Sequence, residues 1–403
     1  MKKKITVIGL GYVGLPTLLI LSNLKKFVCY GYDNDKIKIE NIKKRKIKVS
    51  EKEVNILLKN NIKNKNLIIS NEINSSDVFI ICVPSNANKK LRQNFTPLLN
   101  AIDKIINVLK KNDLIIIETT SEVGTTEMLQ KYIYKRKKSL FNNSLYKPYF
   151  FMAYCPEKVF PGNTIHEIKN NPRIIGGINK PSNIRAKNFF INFSKKIFLT
   201  DSKTAEITKL VENSYRNVQI GFVNDLANYT EKRKLDILKI IQLSNLHPRI
   251  NLLKPGIGVG GHCIPIDPYF LIQNKSQHFK LLQASIKTNE RRPKIISDNL
   301  KKVIKKKKIK ELNLFGLTYK PNIDDFRESP AISIFKNLLR EKNLKINLID
   351  PYIKKNQFNF NKRVKFYRVK NIKNDNDTLN ILLVDHKEFS KYKNNKKVIN
   401  LTN

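Results

Sequence analysis

The 403-residue sequence predicts an α/β fold with two doubly wound parallel-sheet domains joined by a long central helical segment. Three observations carry that prediction. Short β-branched apolar runs alternate with helical stretches at the N-terminal end, a glycine-rich turn sits between the first strand and the first helix, and the same strand–helix alternation returns after a long strand-free region.

The elements follow in order. "KITVIG", residues 4 to 9, is a short apolar strand, "GLGYVG" a glycine turn and "LPTLLILSNL" an apolar helix. "FVCYGYD" is a second strand that ends in Asp33, which completes one βαβ unit with an acidic residue about twenty positions after the glycines. Further strands are expected at "DVFIICVP" (77 to 84) and "DLIIIETT" (113 to 120), with "LLNAIDKIINVLKK" as an intervening helix, so residues 1–198 form the first Rossmann-like domain. From 202 to 245 the spacing is helical, with Gly221 as the one breaker, and this reads as a long helix or helix pair. Together with a glycine-rich loop and a helix near 280 to 300 it makes a central segment, 199–304. Strands return at "ELNLFGL" (311 to 317), "KINLID" (345 to 350) and "LNILLVDH" (379 to 386), giving a smaller Rossmann-like domain over 305–403.

Composition narrows the function. The chain has 77 basic and 33 acidic residues, a formal charge of +44. The lysines are spread along its whole length among asparagines and isoleucines, tryptophan is absent, and no aromatic–basic alternation suited to stacking bases is present. The charge reads as solvated surface, and no nucleic-acid partner is expected. No run approaches the ~18 apolar residues of a membrane span, and "MKKKITVIGLGYVGLP" is not an export signal, so a cytoplasmic protein without membrane insertion is expected. Cys29, Cys82, Cys155 and Cys263 form no CxxC pair, which implies neither a metal site nor a disulfide framework.

Gly9, Gly11 and Gly14 give GxGxxG between strand and helix. Such glycines let backbone and helix N-terminus approach a pyrophosphate, while Asp33 is placed to accept from a ribose hydroxyl and would repel a 2′-phosphate. NAD, not NADP, is the expected cofactor. NAD implies hydride transfer, and an enzyme that carries an aldehyde on to an acid benefits from a thiol that forms a thiohemiacetal. Cys263, in "PGIGVGGHCIPIDPYF", suits that role, with Gly258, Gly260 and Gly261 expected to let the backbone come close to a ligand. Cys29 and Cys82 lie in apolar strand patterns and read as core.

The motifs "VIGLGYVGLP", "ETTSEVGTTE", "AYCPEKVFPG", "NPRIIGG", "AEITKLVENSYRNVQIGFVNDLA", "GVGGHCIPIDPYF" and "FGLTYKPNIDDFRESPA" resemble the UDP-glucose/GDP-mannose dehydrogenases over nearly the whole chain. That family oxidises C6 of a nucleotide sugar from alcohol to carboxylate with NAD. "GGHCIPIDP" is similar to its UDP-N-acetylhexosamine branch, and the substrate implied is UDP-N-acetyl-D-mannosamine, oxidised for a cell-surface polysaccharide of the enterobacterial common antigen type. The resemblance makes Cys263 the nucleophile, Lys209 and Asn213 the pair that handles the proton and the developing oxyanion, Asp267 the carboxylate supporting them, and Glu157 the acid/base of thioester hydrolysis. On spacing alone, Lys209 with Glu206 or Glu212 reads as an ordinary solvated helix face. Cofactor contacts implied are Gly9, Gly11, Tyr12, Val13, Gly14, Asp33, Ser85, Thr126 and Arg327. Substrate contacts implied are Lys158, Val159, Lys209, Asn213, Arg216, His247, Arg249, Gly260, Tyr319 and Lys320, and a homodimer is implied as well. Lys158 stands where relatives have arginine and Ser85 where they have threonine, and a substrate contact near Thr402 is expected to be lost. Competing readings keep the machinery but act on UDP-N-acetylglucosamine or UDP-glucose, or keep only the fold in a basic nucleic-acid-binding protein.

Overall fold

The computed structural model describes residues 2–46, 51–61, 66–88, 91–142, 146–159, 162–273, 277–353, 362–368 and 377–402. They divide into an N-terminal unit, residues 1–211 with 269–273, and a C-terminal unit, 212–268 with 274–403.

The N-terminal unit runs β1 (Lys3–Ile8), α1 (Gly14–Asn23), β2 (Phe27–Tyr32), α2 (Lys36–Lys43), α3 (Lys52–Asn61), β3 (Leu67–Ser70), β4 (Val78–Ile81), α4 (Thr96–Ile106), β5 (Leu114–Ile117) and α5 (Thr125–Arg136). A short pair, β6 (Phe141–Asn142) and β7 (Lys147–Pro148), precedes β8 (Phe151–Tyr154), α6 (Thr164–Asn170), β9 (Arg173–Gly177), α7 (Lys180–Phe190) and β10 (Ile197–Asp201). The sheet order is β10-β9-β8-β5-β4-β1-β2-β3, so the chain reverses its direction of progress between β1 and β4. Ligands of open α/β sheets bind at that switch point, beyond the carboxyl ends of the strands. The strands are near-continuous apolar runs because both faces are covered: Val78–Ile81 and Leu114–Ile117 are buried at every position. In α4, Leu98, Ala101, Ile102, Ile105 and Ile106 recur at helical spacing and all lie buried.

One pair departs from the expected parallel sheet. β9 runs antiparallel to β8, pairing Ala153 with Gly177 and Tyr154 with Gly176. Antiparallel neighbours need no crossover, so β8 ends and β9 begins at the same, carboxyl, edge of the sheet. The "CPEK" residues therefore lie at the edge where ligands bind.

α8 (Ser202–Arg233) begins in the N-terminal unit and continues past the division between Val211 and Glu212. It is followed by α9 (Ile237–Ser244), α10 (Asp267–Ile272) and α11 (Lys280–Lys306). The expected helix pair is present, but it does not break at Gly221. The chain turns at Lys234, whose φ is +57°, and Asp236 then caps α9 by accepting from the N–H groups of Leu238 and Lys239. Gly221 stays inside the helix because α11 crosses it there: a Cβ at this position would lie 2.1 Å from Ser285 Oγ and 3.0 Å from Ser285 Cβ.

The C-terminal unit ends in β11 (Glu311–Phe315), α12 (Pro330–Leu338), β12 (Lys345–Ile349), β13 (Val364–Tyr367), β14 (Thr378–Leu382) and β15 (Val398–Asn400). Its all-parallel sheet, ordered β13-β12-β11-β14-β15, has its own switch point between β11 and β14. The α/β fold with two doubly wound sheets and a long central helix is thus observed.

Gly221→Ala tests the α8–α11 crossing. In an open helix the change would stabilise by about 0.5–1 kcal/mol through backbone entropy. Overpacking of this kind costs about 1–3 kcal/mol, so the net expectation is a lowered Tm in thermal denaturation; an unchanged or raised Tm would show that the contact is soft.

Candidate active site

At the first switch point the glycine turn is shaped by two close approaches. Gly9 has φ +90°, its N–H donates to Tyr32 O at 2.8 Å, and a Cβ there would meet Cys82 O at 2.5 Å. A Cβ on Gly14 would lie 1.9 Å from Gly9 O. Gly11 differs: nothing stands within 4 Å of where its Cβ would be, and no side chain caps α1. The turn therefore leaves open space beside bare backbone at a helix N-terminus, with Val13 as its N-cap residue, which fits the pyrophosphate of a dinucleotide.

Asp33 closes this crevice from the end of β2. Its Oδ2 accepts from Leu10 N–H at 2.9 Å and Lys38 Nζ at 2.9 Å, and its Oδ1 from Asp35 N–H at 3.0 Å. Burial opposes ionisation, but the Lys38 and backbone bonds outweigh it and hold the carboxyl below its usual range. Three other residues expected at the cofactor make bonds of their own. The Tyr12 hydroxyl donates to Glu51 Oε1 at 2.6 Å, and burial followed by Glu51 pushes its titration above the ordinary range. Glu51 also accepts from the N–H groups of Gly162 and Thr164. Ser85 donates to Thr120 O at 2.6 Å. Thr126 is fully buried, and its N–H and hydroxyl both donate to Glu206, at 2.7 and 2.6 Å. Glu206 thereby caps α5 from α8.

Glu157 and Lys158 lie on the antiparallel return. Arg173, on β9, reaches Glu157 Oε2 with Nη2 at 2.9 Å and Glu118 Oε1 with Nη1 at 3.1 Å, and all three are buried. One guanidinium between two buried carboxylates leaves an excess negative charge; burial, which outweighs Arg173, raises the Glu118 carboxyl above its usual range. Cys82 donates to Glu118, and Cys155 Sγ lies 3.8 Å from Arg173 Nη1. Burial pushes the Cys155 and Cys29 thiols up to about 12 and Cys82 well above its usual range, so these three stay protonated. The Lys158 N–H donates to Glu157 Oε1 at 2.8 Å, and Val159 packs on the apolar core. Lys209 and Glu206 are buried, which corrects the solvated-face reading of that helix, while Glu212 is exposed.

In the C-terminal unit Cys263 is exposed, on a loop tied down from several directions. Asn217 Nδ2 donates to Ile264 O at 3.2 Å, Gly256 N–H to Asn224 Oδ1 at 2.9 Å, Arg292 Nε to Gly256 O at 3.2 Å and Gly261 N–H to Arg327 O at 3.1 Å. The Asp267 N–H donates to Cys263 O at 2.9 Å, and Asp267 Oδ2 accepts from Asn213 Nδ2 at 2.5 Å, so Asp267 joins the backbone of the cysteine loop to the Asn213 amide on α8. The loop glycines serve the protein's own packing. A Cβ on Gly260 would meet Pro330 Cδ and Tyr319 Cβ at 2.7 Å, and one on Gly261 would lie 2.8 Å from the Tyr319 ring.

Tyr319 and Lys320 follow β11, at the second switch point. Burial, then Asp325 and Cys263, raises the Tyr319 phenol above its usual range. This turn is held from below by His386, whose Nδ1 accepts from Asn322 N–H at 2.9 Å and whose Nε2 lies 3.3 Å from Asp350 Oδ2. Arg327 forms a two-point pair with Asp325, at 3.0 and 2.6 Å. Arg216, His247 and Arg249 are exposed. Sequence reasoning missed Arg173, Glu118, Glu51, Lys38 and His386. Arginine inside the apolar strand "RIIGG" was the available signal, since a strand-borne charge needs a buried partner.

Comparison with known proteins agrees with this geometry. Residues 3–194, 203–291 and 313–402 match the NAD binding, central and UDP binding domains of the UDP-glucose/GDP-mannose dehydrogenase family. UDP-N-acetyl-D-mannosamine dehydrogenase of Methanocaldococcus jannaschii is 40% identical over 354 residues, covering 87% of this chain and 79% of that one. An NDP-N-acetyl-D-galactosaminuronic acid dehydrogenase of Ralstonia solanacearum is 32% identical over 96% of this chain and 92% of its own. The structure of UDP-D-ManNAc dehydrogenase from Pyrococcus horikoshii superposes with a TM-score of 0.87 at 31% identity, over 99% of this chain and 95% of that one. With a dinucleotide crevice, an exposed cysteine on a tethered loop and family matches over residues 3–194, 203–291 and 313–402, the chain belongs to the UDP-glucose/GDP-mannose dehydrogenase family and is an NAD-dependent UDP-sugar dehydrogenase.

Proposed function

We propose that this enzyme oxidises UDP-N-acetyl-D-mannosamine at C6 to UDP-N-acetyl-D-mannosaminuronate in two successive oxidations, through a covalent intermediate on Cys263. The observation that carries the reading is the contrast among the four thiols. Cys263 is exposed, on a loop braced by α8 and α11 and next to the Asn213–Asp267 pair, while the other three are held protonated in the core. The names of the relatives support the sugar.

NAD, when bound, supplies the hydride acceptor for both oxidations. Lys209 takes part in moving the C6 hydroxyl proton as the alcohol becomes an aldehyde. The Cys263 sulfur then adds to the aldehyde carbon, and Asn213 donates to the developing oxyanion. Loss of hydride converts this thiohemiacetal to a thioester. Glu157, held in place by Arg173, acts as the base for the water that releases the carboxylate product and the free thiol. Asp267 keeps the Asn213 amide aimed. Gly9, Gly11, Gly14 and Asp33 hold the dinucleotide. Lys158, Arg216, Arg249 and Lys320 supply cations for the UDP pyrophosphate, with Tyr319 and His247 toward nucleoside and sugar. The same machinery would serve another UDP-hexosamine, a reading that the Ralstonia relative's name keeps open. Tyr215, Phe222 and Tyr229 recur every seven residues along α8 and are 64%, 57% and 52% exposed, an apolar stripe that supports a homodimer through this helix. We place the enzyme in the cytoplasm, making a uronate for cell-surface polysaccharide of the enterobacterial common antigen type.

A panel of UDP-sugars followed by NADH absorbance tests the substrate: two NADH per UDP-N-acetyl-D-mannosamine consumed is expected, and one NADH with accumulating aldehyde would contradict the four-electron reaction. Cys263→Ser should lose turnover by orders of magnitude yet still bind UDP-sugar. Cys29→Ala is the matching control, because Cys155, with no role evident in the sequence, lies against Arg173. Near-normal uronate formation by Cys263→Ser would sink the covalent mechanism. Asp33→Ala should raise the KM for NAD about tenfold or more, the scale of a lost charged hydrogen bond, and relax the bias against NADP. An unchanged cofactor preference would displace the ribose from Asp33.

A further inference from the structure

Three helices that start at the dinucleotide crevice meet again at their other ends. At the crevice, Glu51, which leads into α3, accepts from the Tyr12 hydroxyl at 2.6 Å and from the hydroxyl of Thr164, the first residue of α6, at 2.5 Å, and the two hydroxyls lie 2.9 Å apart. One knot thus ties the leading ends of α1, α3 and α6 beside the pyrophosphate turn. α1 has ten residues, about 15 Å of helix, is buried from Gly14 to Ser22, and packs against α3 and α6. Its far end lines a cavity of about 420 Å³, within the roughly 300–1,000 Å³ of small-molecule pockets. Ile20 and the C-cap Leu24 of α1, Leu57 of α3 and Phe193 beyond α7 give the cavity apolar walls. Lys169 of α6 and Lys195 stand exposed on it, and among the described residues no acidic side chain lines it. The carboxyl ends of α1, α6 and α7 that reach the cavity carry about half a negative charge each, less in sum than the two ammonium charges. Ser194 also lines the cavity; it is 5% exposed, and its hydroxyl is buried with no hydrogen-bond partner among the described residues. Buried hydroxyls are nearly always paired in folded proteins, so an unmet one in a cavity wall points to a polar ligand atom. None of these lining residues has a part in the oxidation of the sugar.

We propose that this cavity is a second ligand site, for a small organic anion with an apolar body, and that its occupant raises the affinity for NAD through α1, α3 and α6. The apolar walls take the body of such a molecule and the lysines its charge. A molecule seated among the three helices fixes their spacing, and the knot at their leading ends then needs less ordering when the dinucleotide arrives. The coupling is reciprocal, so NAD raises the affinity for the occupant by the same factor. An anion drawn only by the overall charge of +44 would depend on no particular lysine and would show no coupling.

The inference rests on the glycine turn being the NAD site and does not depend on which UDP-sugar is oxidised. Its test uses anilinonaphthalene sulfonate, an aromatic anion whose fluorescence rises in apolar surroundings, titrated into the full chain with and without saturating NAD. The dye's Kd should fall about fivefold or more when NAD is present, and calorimetry should show NAD tightening by the same factor when the dye is present. Lys169→Glu combined with Lys195→Glu should weaken the dye about tenfold and abolish the coupling, with NAD affinity in the dye's absence unchanged. Both side chains are exposed, so the fold is not at stake. Lys131→Glu combined with Lys135→Glu, on exposed positions of α5, makes the same change of net charge elsewhere and should leave dye binding as it was. Displacement of the dye by NAD would put it in the dinucleotide crevice and overturn the proposal. So would equal losses from the two double variants, or a dye Kd indifferent to NAD. Failure of the unmodified protein to bind NAD would overturn the cofactor site as well.

Discussion

The working geometry of the cysteine loop depends on a polar ladder buried between α8 and α11. Ser285 Oγ and Asn289 Nδ2 both donate to Asn217 O, at 2.8 and 3.0 Å, and Asn224 Nδ2 donates to Asn289 Oδ1 at 3.0 Å. The outer groups of the ladder hold the loop: Asn217 by Ile264 O and Asn224 by Gly256 N–H. Buried amides of this kind cost free energy unless every donor and acceptor is met, so the helices have one satisfied register and few close competitors. Gly221 lets the helices come near enough for that register to form. Cys263 inherits its position from these bonds, although none of the ladder residues performs chemistry.

Charge is handled in three different ways in the N-terminal unit. Arg173 is fully desolvated between Glu118 and Glu157 and packs with its guanidinium carbon 4.7 Å from the Phe190 ring centroid. Ion pairs this deep carry a desolvation cost that nearly cancels their attraction, so their value lies in fixing one orientation of Glu157. The Lys38–Asp33 pair is shallower, with its lysine side open to solvent. Depth thus separates a desolvated pair that fixes a side chain from one that solvent screens. Glu51 and Glu206 follow a third pattern: each accepts from two backbone N–H groups and a threonine hydroxyl, and so ties the Tyr12 turn and the Thr126 helix end to distant parts of the chain.

The elements were legible where the signal is local. Leu98, Ala101, Ile102, Ile105 and Ile106 announce a helix face by spacing, and Val78–Ile81 a buried strand by its apolar run. The glycine turn followed by Asp33 identified the dinucleotide crevice for the same reason, since GxGxxG answers to steric demands within a few residues: Gly14 must clear Gly9 O, its neighbour five positions back. Misreadings arose where a short-range rule met a long-range partner. Gly221 reads as a breaker until Ser285, sixty-four positions on, is seen against it. The close packing of the glycines around Cys263 against Tyr319 and Pro330 was likewise invisible along the chain.

By itself, the sequence determined the alternation of strands and helices, the glycine crevice with its acidic partner, and the presence of a cysteine in an unusual loop, because each is written in spacing along the chain. Only the tertiary structure decided that Asn213 meets Asp267 across 54 positions, Thr126 meets Glu206 across 80 and Thr164 meets Glu51 across 113. It alone showed that Cys155 is buried and Cys263 exposed. Hydrogen-bond satisfaction and desolvation are properties of the folded surroundings, and residues far apart in sequence supply them.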